Sequence, residues 1–193
     1  MGRPAVFLDR DGTMIREVNY LRSVEQLRLL PGVAGAIRRL NEAGFAVVVT
    51  TNQSGVAQGL LTEGDLDRIH ERLRQRLARR GARLDGLYYC PHHPEAKVAR
   101  YRRQCGCRKP SPEMLQRAAA ELDLDLKQSF AVGDSARDVE AGRRAGCRTV
   151  LVRTGYGKRA EAGLGEADRP DHIAGDLASA VEWVLGQQRG RGR

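Results

Sequence analysis

Long apolar runs are missing from this chain. No stretch approaches the roughly 20 consecutive apolar residues of a membrane-spanning helix, and the opening "MGRPAVFLDRDGT" has no run of secretory length. A soluble, cytoplasmic protein with no membrane partner is expected. Aromatic residues are scarce, at 5%. The formal net charge of +9 favours anionic partners, yet no stripe interleaves the basic residues with stacking aromatics, so no nucleic-acid partner is expected. Part of the basic excess lies in the tail "RGRGR" and part in the stretch "RIHERLRQRLARR", whose charges read as a solvated helix face. A redox C-x-x-C is also absent, although three of the four cysteines crowd into Cys90, Cys105 and Cys107. Disulfides are rare in a reducing cytoplasm, so such crowding points to metal or to chemistry, while Cys147 reads as a small buried residue.

What is present suffices for one core. A length of 193 residues with 41% apolar content fits a single domain, expected over residues 1–186, with 187–193 a flexible basic tail. Short apolar runs alternate with helical patterns: "AVFLD" (Ala5 to Asp9), "FAVVVTT" (Phe45 to Thr51), "GLYYC" (Gly86 to Cys90), "SFAVGD" (Ser129 to Asp134) and "TVLVR" (Thr149 to Arg153). Near-continuous apolar runs suit strands covered on both faces. Between them the spacing predicts helices over Pro31–Ala43, from Thr62 with Asp65 completing a capping box, over Pro112–Leu122 with Ser111 as N-cap, over Ala136–Gly146, and over Asp176–Leu185. The expected fold class is α/β, a doubly wound, mostly parallel sheet whose ligands sit outside the carboxyl ends of the strands.

Those strand ends carry a coherent set of groups. The first ends in "FLDRDGT", giving Asp9 at the tip and Asp11 two residues later; the fourth ends in "VGDSARD", giving Asp134 and Asp138. Acids converging from two strand ends repel one another unless a hard cation neutralises them, and carboxylates suit Mg2+. "TTNQSG" supplies Thr51, Asn52 and Ser54 as phosphate-oxygen partners, and Arg108 and Lys109 precede the next helix as fixed cations. Carboxylates, a hydroxyl, a cation and magnesium form a phosphoryl-transfer inventory.

At these residues the chain resembles the haloacid dehalogenase-like (HAD-like) phosphatases. "DRDGT" matches their D-x-D-G-T motif, "VVVTTNQSG" their apolar run ending in Thr or Ser, Lys109 their basic motif and "VGDSARD" their G-D-x-x-x-D motif, in the family's order. The resemblance implies Asp9 as nucleophile, Asp11 as acid and base, Thr51 and Lys109 as stabilisers of the transferring group, and magnesium held by Asp9, the Asp11 main-chain carbonyl and Asp134. Asp138 is expected to orient Lys109 or the metal's water without ligating the ion itself.

The stretch "CPHHPEAKVARYRRQCGCRKP" has the spacing of a closed zinc site built from Cys90, His92, Cys105 and Cys107, with His93 as the alternative imidazole. Zinc there would staple the loop 90–110, which ends in Arg108 and Lys109. With "TNQSG" and "REVNY", this loop narrows the resemblance to the heptose bisphosphate and histidinol-phosphate phosphatases, a branch without a large cap domain. That branch implies a sugar-phosphate hydrolase serving nucleotide-activated heptose and lipopolysaccharide synthesis. It also implies substrate contacts from Glu17, Val18, Asn19, Tyr20, Asn52, Gln53, Ser54 and Arg108, with Arg10 and Ser135 beside the acids; Ser135 stands where some heptose phosphatases have lysine. Histidinol phosphate is the alternative substrate, and a zinc-dependent nucleic-acid-binding protein the alternative of another class. A capless enzyme of this size is expected to act as a monomer.

Overall fold

The computed structural model describes residues 2–189. One all-parallel sheet is built from β1 (Ala5–Leu8), β2 (Ala46–Asn52), β3 (Gly86–Cys90), β4 (Phe130–Gly133), β5 (Arg148–Val152) and β6 (His172–Ala174), in the spatial order β3-β2-β1-β4-β5-β6. The helices are α1 (Val33–Glu42), α2 (Ser54–Ala57), α3 (Glu63–Ala78), α4 (Glu113–Leu122), α5 (Ala136–Ala145), α6 (Gly157–Gly163) and α7 (Leu177–Arg189). The chain winds outward from β1 through β2 to β3, returns to β4 beside β1, and winds outward again through β5 to β6. Its direction therefore reverses between β1 and β4, where a doubly wound sheet opens its ligand crevice. Leu8 lies in register with Val132, and the Asp9 N–H donates to the Val132 carbonyl at 2.9 Å, so the two acidic strand ends emerge side by side.

Alternation decides which helix covers which face. Val6 and Leu8 join Val47, Val49 and Val132 in a cluster with α1, α3 and α7, whereas Ala5, Phe7, Ala46, Val48 and Ala131 face α4 and α5. Both sets are apolar, so the central strands read as continuous apolar runs. Phe7 is 1% exposed, and truncating so enclosed a ring costs about 3–5 kcal/mol.

The helix starts show where local chemistry was readable. At α3 the capping box forms, with the Asp65 N–H donating to Thr62 Oγ1 at 3.1 Å and the Thr62 N–H donating to Asp65 Oδ2 at 2.8 Å. At α4 the expected Ser111 cap does not form. Its N–H turns back to the Arg108 carbonyl, and Pro112 occupies the cap position. A left-handed Gly32 starts α1 at Val33 rather than Pro31. β6 was missed because three residues are too few to show a period, and β3, at the sheet edge, is only half covered. The final helix runs through Arg189, past the expected boundary at 186; residues 190–193 of the anticipated tail lie outside the described residues. Among the described residues no helix is long and apolar enough to cross a membrane.

Candidate active site

The β1 and β4 ends place Asp9 and Asp134 together, with ligand oxygens of Asp9, Asp134 and Asp138 all within 4.8 Å of one another. Lys109, 3% exposed, enters this cluster from the far side of the loop. Its Nζ lies 2.7 Å from Asp9 Oδ1 and 2.5 Å from Asp138 Oδ1, and donates to the Thr50 carbonyl at 2.7 Å. Burial opposes the ammonium charge, but Asp138 and Asp9 outweigh it and hold its pKa above the ordinary lysine range. Asp138 has no oxygen to spare: Oδ2 accepts the Ser135 N–H at 3.0 Å and its hydroxyl at 2.6 Å, capping α5. It thus contacts Lys109 while Ser135, which also lines the acid cleft, completes the helix cap.

Glycines admit the acidic groups. A Cβ on Gly12, whose φ is +78°, or on Gly155 would lie 2.0 Å from Asp134 Oδ2. That same oxygen accepts the Tyr156 N–H at 2.8 Å, fixing the carboxylate between two tight turns.

Several residues expected to touch substrate also hold the machinery, and Arg10, Asn52 and Gln53 line the wider cavity as well. The Arg10 side chain is 0% exposed and faces inward, its Nε and Nη2 each donating to Asp11 at 3.1 Å and Nη2 also to Gln53 Oε1 at 2.8 Å. The Gln53 amide N–H groups reach Asp11 Oδ2 and Thr51 Oγ1, both at 2.8 Å. Asn52 clamps the Lys109 backbone from both ends, accepting its N–H at 3.0 Å and donating to its carbonyl at 3.1 Å. Val18 packs on the core rather than facing the cavity.

Two adjoining hollows share Asp11, Glu17, Asn52, Arg137 and Tyr156. A small cleft of about 90 Å³ holds Asp9, Thr51, Lys109 and Asp134, and a wider cavity of about 270 Å³ carries Glu17, Asn19, Tyr20, Ser54 and Arg108. The turn presenting the second set is held in an unusual backbone: Asn19 and Tyr20 have φ of 48° and 75°. Such consecutive left-handed residues are costly and cluster at ligand sites. The Asn19 N–H donates to Glu17 Oε1 at 2.5 Å, which braces the turn. A larger groove of about 480 Å³ lies along β3, away from the strand-end acids.

The cysteine loop converges as its spacing implied. Cys107 Sγ lies 3.1 Å from Cys90 Sγ, 3.3 Å from Cys105 Sγ and 3.4 Å from His92 Nδ1, and all four ligand atoms fall within 4.8 Å. Ligands of one tetrahedral zinc stand about 3.8 Å apart, so the set is compatible with that ion, and the sulfurs are too far apart for a disulfide. His93, the alternative ligand, points elsewhere: its Nδ1 accepts the Glu95 N–H and it lines the wider cavity. The return limb is tied down by Arg108 Nη1 donating to the His92 carbonyl at 3.1 Å. Glu63, at the start of α3, accepts from Tyr89 and Tyr101 at 2.7 and 2.6 Å and anchors the same loop.

The acids have the electrostatics of a cation site. Burial pushes Asp9 up to about 7 against the pull of Lys109, and burial followed by Asp9 pushes Asp134 up to about 8. Carboxylates whose charge is opposed by burial and by one another suit a hard divalent ion. Each folded pKa stands above its ordinary value of 3.8, so cation-free folding takes up protons that the unfolded chain releases. Stability from these groups is then full at low pH and is lost as pH rises through about 7 to 8. Thermal melts between pH 5 and 8.5 are expected to show magnesium raising Tm progressively more as pH increases; an increment that is flat or falls with pH would contradict this.

Comparison with known proteins places this geometry. The HAD-hydrolase-like family model matches residues 106–180. Over 189 residues, 95% of this chain and 96% of that protein, the sequence is 48% identical to D-glycero-D-manno-heptose-1,7-bisphosphate 7-phosphatase of Thermosynechococcus vestitus. The chain belongs to the heptose-1,7-bisphosphate 7-phosphatase family. The Escherichia coli K12 family member is 41% identical, with 96% of each chain covered. The solved D,D-heptose 1,7-bisphosphate phosphatase from B. bronchiseptica, in complex with magnesium and phosphate, superposes with a TM-score of 0.84 at 38% identity, covering 95% of this chain and 99% of that one. Like the other HAD-like phosphatases of the family, the protein is a phosphoric monoester hydrolase.

Sequence reasoning overlooked three residues on this family's site. His93, Arg137 and Tyr156 all line the wider cavity, and Tyr156 is 47% exposed there. Arg137 carried a faint signal, since it falls inside the G-D-x-x-x-D motif one turn from the acids.

Proposed function

We propose that the protein hydrolyses the 7-phosphate of D-glycero-D-manno-heptose 1,7-bisphosphate through an aspartyl-phosphate on Asp9, acting as a cytoplasmic monomer that supplies heptose 1-phosphate for nucleotide activation. The reacting phosphate enters the small cleft, where Thr51 and the Lys109 ammonium meet its oxygens. The Asp9 carboxylate attacks phosphorus in line, the bond from phosphorus to the sugar oxygen breaks, and Asp11 gives its proton to that oxygen. Asp11 then takes a proton from the water that attacks the phosphoryl-aspartate, releasing inorganic phosphate and restoring Asp9. The ligands assigned to magnesium are Asp9, the Asp11 main-chain carbonyl and Asp134; when bound, the ion offsets charge between nucleophile and phosphate. Cys90, His92, Cys105 and Cys107 are assigned to a structural zinc that keeps Arg108 and Lys109 in place without touching the reaction.

The observation that carries the choice of substrate is Arg108 on the wider cavity beside Arg137, which lines both hollows. Burial holds the Arg108 pKa below its usual range, Cys90 pulls against that and the nearby Arg137 adds to it, so the pair is a cationic rim with Glu17 on the same cavity. A second phosphate satisfies it, whereas the ammonium and imidazole of histidinol phosphate would face it unfavourably. Glu17, at the same cavity, suits sugar hydroxyls.

The test compares kcat/KM for both anomers of heptose 1,7-bisphosphate with histidinol phosphate and fructose 1,6-bisphosphate. One heptose anomer is expected to win by at least about tenfold, equivalent to roughly 1.4 kcal/mol of transition-state binding. A preference for histidinol phosphate would overturn the substrate and leave the chemistry standing.

A further inference from the structure

Among the buried polar groups that the chemistry above leaves unused, His70 stands out by its partner. It sits on α3, sixty residues from Arg10, and is 2% exposed. Its Nε2 lies 3.0 Å from Arg10 Nη1. A guanidinium only donates, so this ring nitrogen must accept, and the imidazole is neutral with its proton on Nδ1. Burial and then Arg10 push its pKa down to about 2, in keeping with that tautomer.

The consequence lies one bond further on. Arg10 spends Nε and Nη2 on Asp11, and Nη2 also on Gln53, so Nη1 is the arm left to tie the guanidinium to a further element. Without an acceptor, Nη1 would be a buried unpaired donor, and any shift of the fork that relieves it would carry along the carboxylate it grips. His70 is itself packed, its ring 5.7 Å from that of Tyr89, whose hydroxyl is held by Glu63. The grip on Asp11 therefore rests on α3, a helix that touches neither phosphate nor metal ligand. A core histidine serving only packing would have no need to aim its acceptor at a buried cation.

We propose that His70 is a positioning residue for proton transfer: as a neutral acceptor it locks Arg10, and through it the Asp11 carboxylate, at the boundary of the two hollows where the leaving oxygen departs. This rests on the acid and base role assigned to Asp11. Because kcat/KM reads steps up to the departure of the first alcohol, its leaving-group dependence isolates the protonation.

The experiment compares His70→Phe and His70→Gln with the unaltered protein on a sugar phosphate, whose oxygen needs a proton, and on p-nitrophenyl phosphate, whose oxygen does not. His70→Phe is expected to lower kcat/KM about 10- to 100-fold on the sugar phosphate and less than about threefold on p-nitrophenyl phosphate, with the sugar-phosphate loss in kcat rather than KM. The amide oxygen of His70→Gln can accept from Nη1, so that variant is expected to recover most of the loss. In an Asp11→Asn background, His70→Phe should add less than about threefold on either substrate. Equal losses on both substrates, or no rescue by glutamine, would overturn the proposal; if His70→Phe fails to fold, His70→Leu, which also lacks an acceptor, is put through the same comparisons. Asp11→Asn alone must show the same preference for the good leaving group. If it does not, the role of Asp11 itself fails, an outcome distinct from a selective Asp11→Asn with an unselective His70→Phe.

Discussion

Asp9→Asn is expected to lower kcat by about 10⁴-fold or more while the fold survives. The amide has no lone pair of carboxylate strength to attack phosphorus, and no other carboxylate is free to take over. Asp138 is locked between Lys109 and the α5 cap, and Asp134 is pinned by the Tyr156 N–H. Loss of one buried charge from a crowded acid cluster also relieves repulsion, so the cation-free variant should melt no lower than the unaltered protein at pH 8. Lys109 keeps Asp138 and the Thr50 carbonyl as partners, so the cation is not stranded. Steady-state hydrolysis and thermal melts check both parts, and turnover within tenfold of normal would remove Asp9 from the nucleophile's place.

Lys109→Met should have nearly as large an effect, and for a different reason. It deletes the cation that touches both Asp9 and Asp138 at 4% side-chain exposure, leaving two acids facing each other in a poorly solvated pocket. Removing one member of such a buried set costs about 3–5 kcal/mol. Losing the fixed positive charge beside the transferring phosphoryl group removes about 10³-fold in kcat/KM. Magnesium is expected to recover part of the stability and little of the activity. Lys109→Arg should not rescue turnover, because a planar fork does not fit where a point charge makes three short contacts. Melts with and without magnesium, set beside kcat/KM, separate the two losses. A variant with normal activity and lower stability would reduce Lys109 to a structural cation.

The sequence made the central strands and the acid pairs legible because their signals are local. A continuous apolar run ending in Asp9 or Asp134 says both what the strand buries and what stands at its tip. The capping boxes at Thr62 and Ser135 were equally local, although only the first was read as one. The zinc ligands were legible from spacing, whereas the choice of His92 over His93 needed the loop's path, since adjacent residues point in different directions. Asn52, Gln53 and Arg10 line the wider cavity and also hold Lys109 and Asp11, a double placement that spacing alone does not reveal. Side chains of the right type next to a phosphate site can serve either the ligand or its holders, and only the positions of Lys109 and Asp11 decide. Glu63 and His70 were hidden on α3, whose many charges read as a solvated face, because burial of one polar position per turn leaves almost no trace in such a pattern. The residues lining the wider cavity beyond the quoted motifs, Arg137 and Tyr156 among them, depend on the meeting of separate loops.

The central claim is that phosphate passes through a covalent bond to Asp9. Mixing enzyme, magnesium and heptose 1,7-bisphosphate, quenching in acid within one turnover, and reducing with borohydride converts a phosphorylated aspartate to homoserine that peptide mass analysis can locate. Homoserine is expected at position 9, and at a higher level in Asp11→Asn, where hydrolysis of the intermediate loses its base. Homoserine at another acid, or none while phosphate is released at the normal rate, would contradict the account.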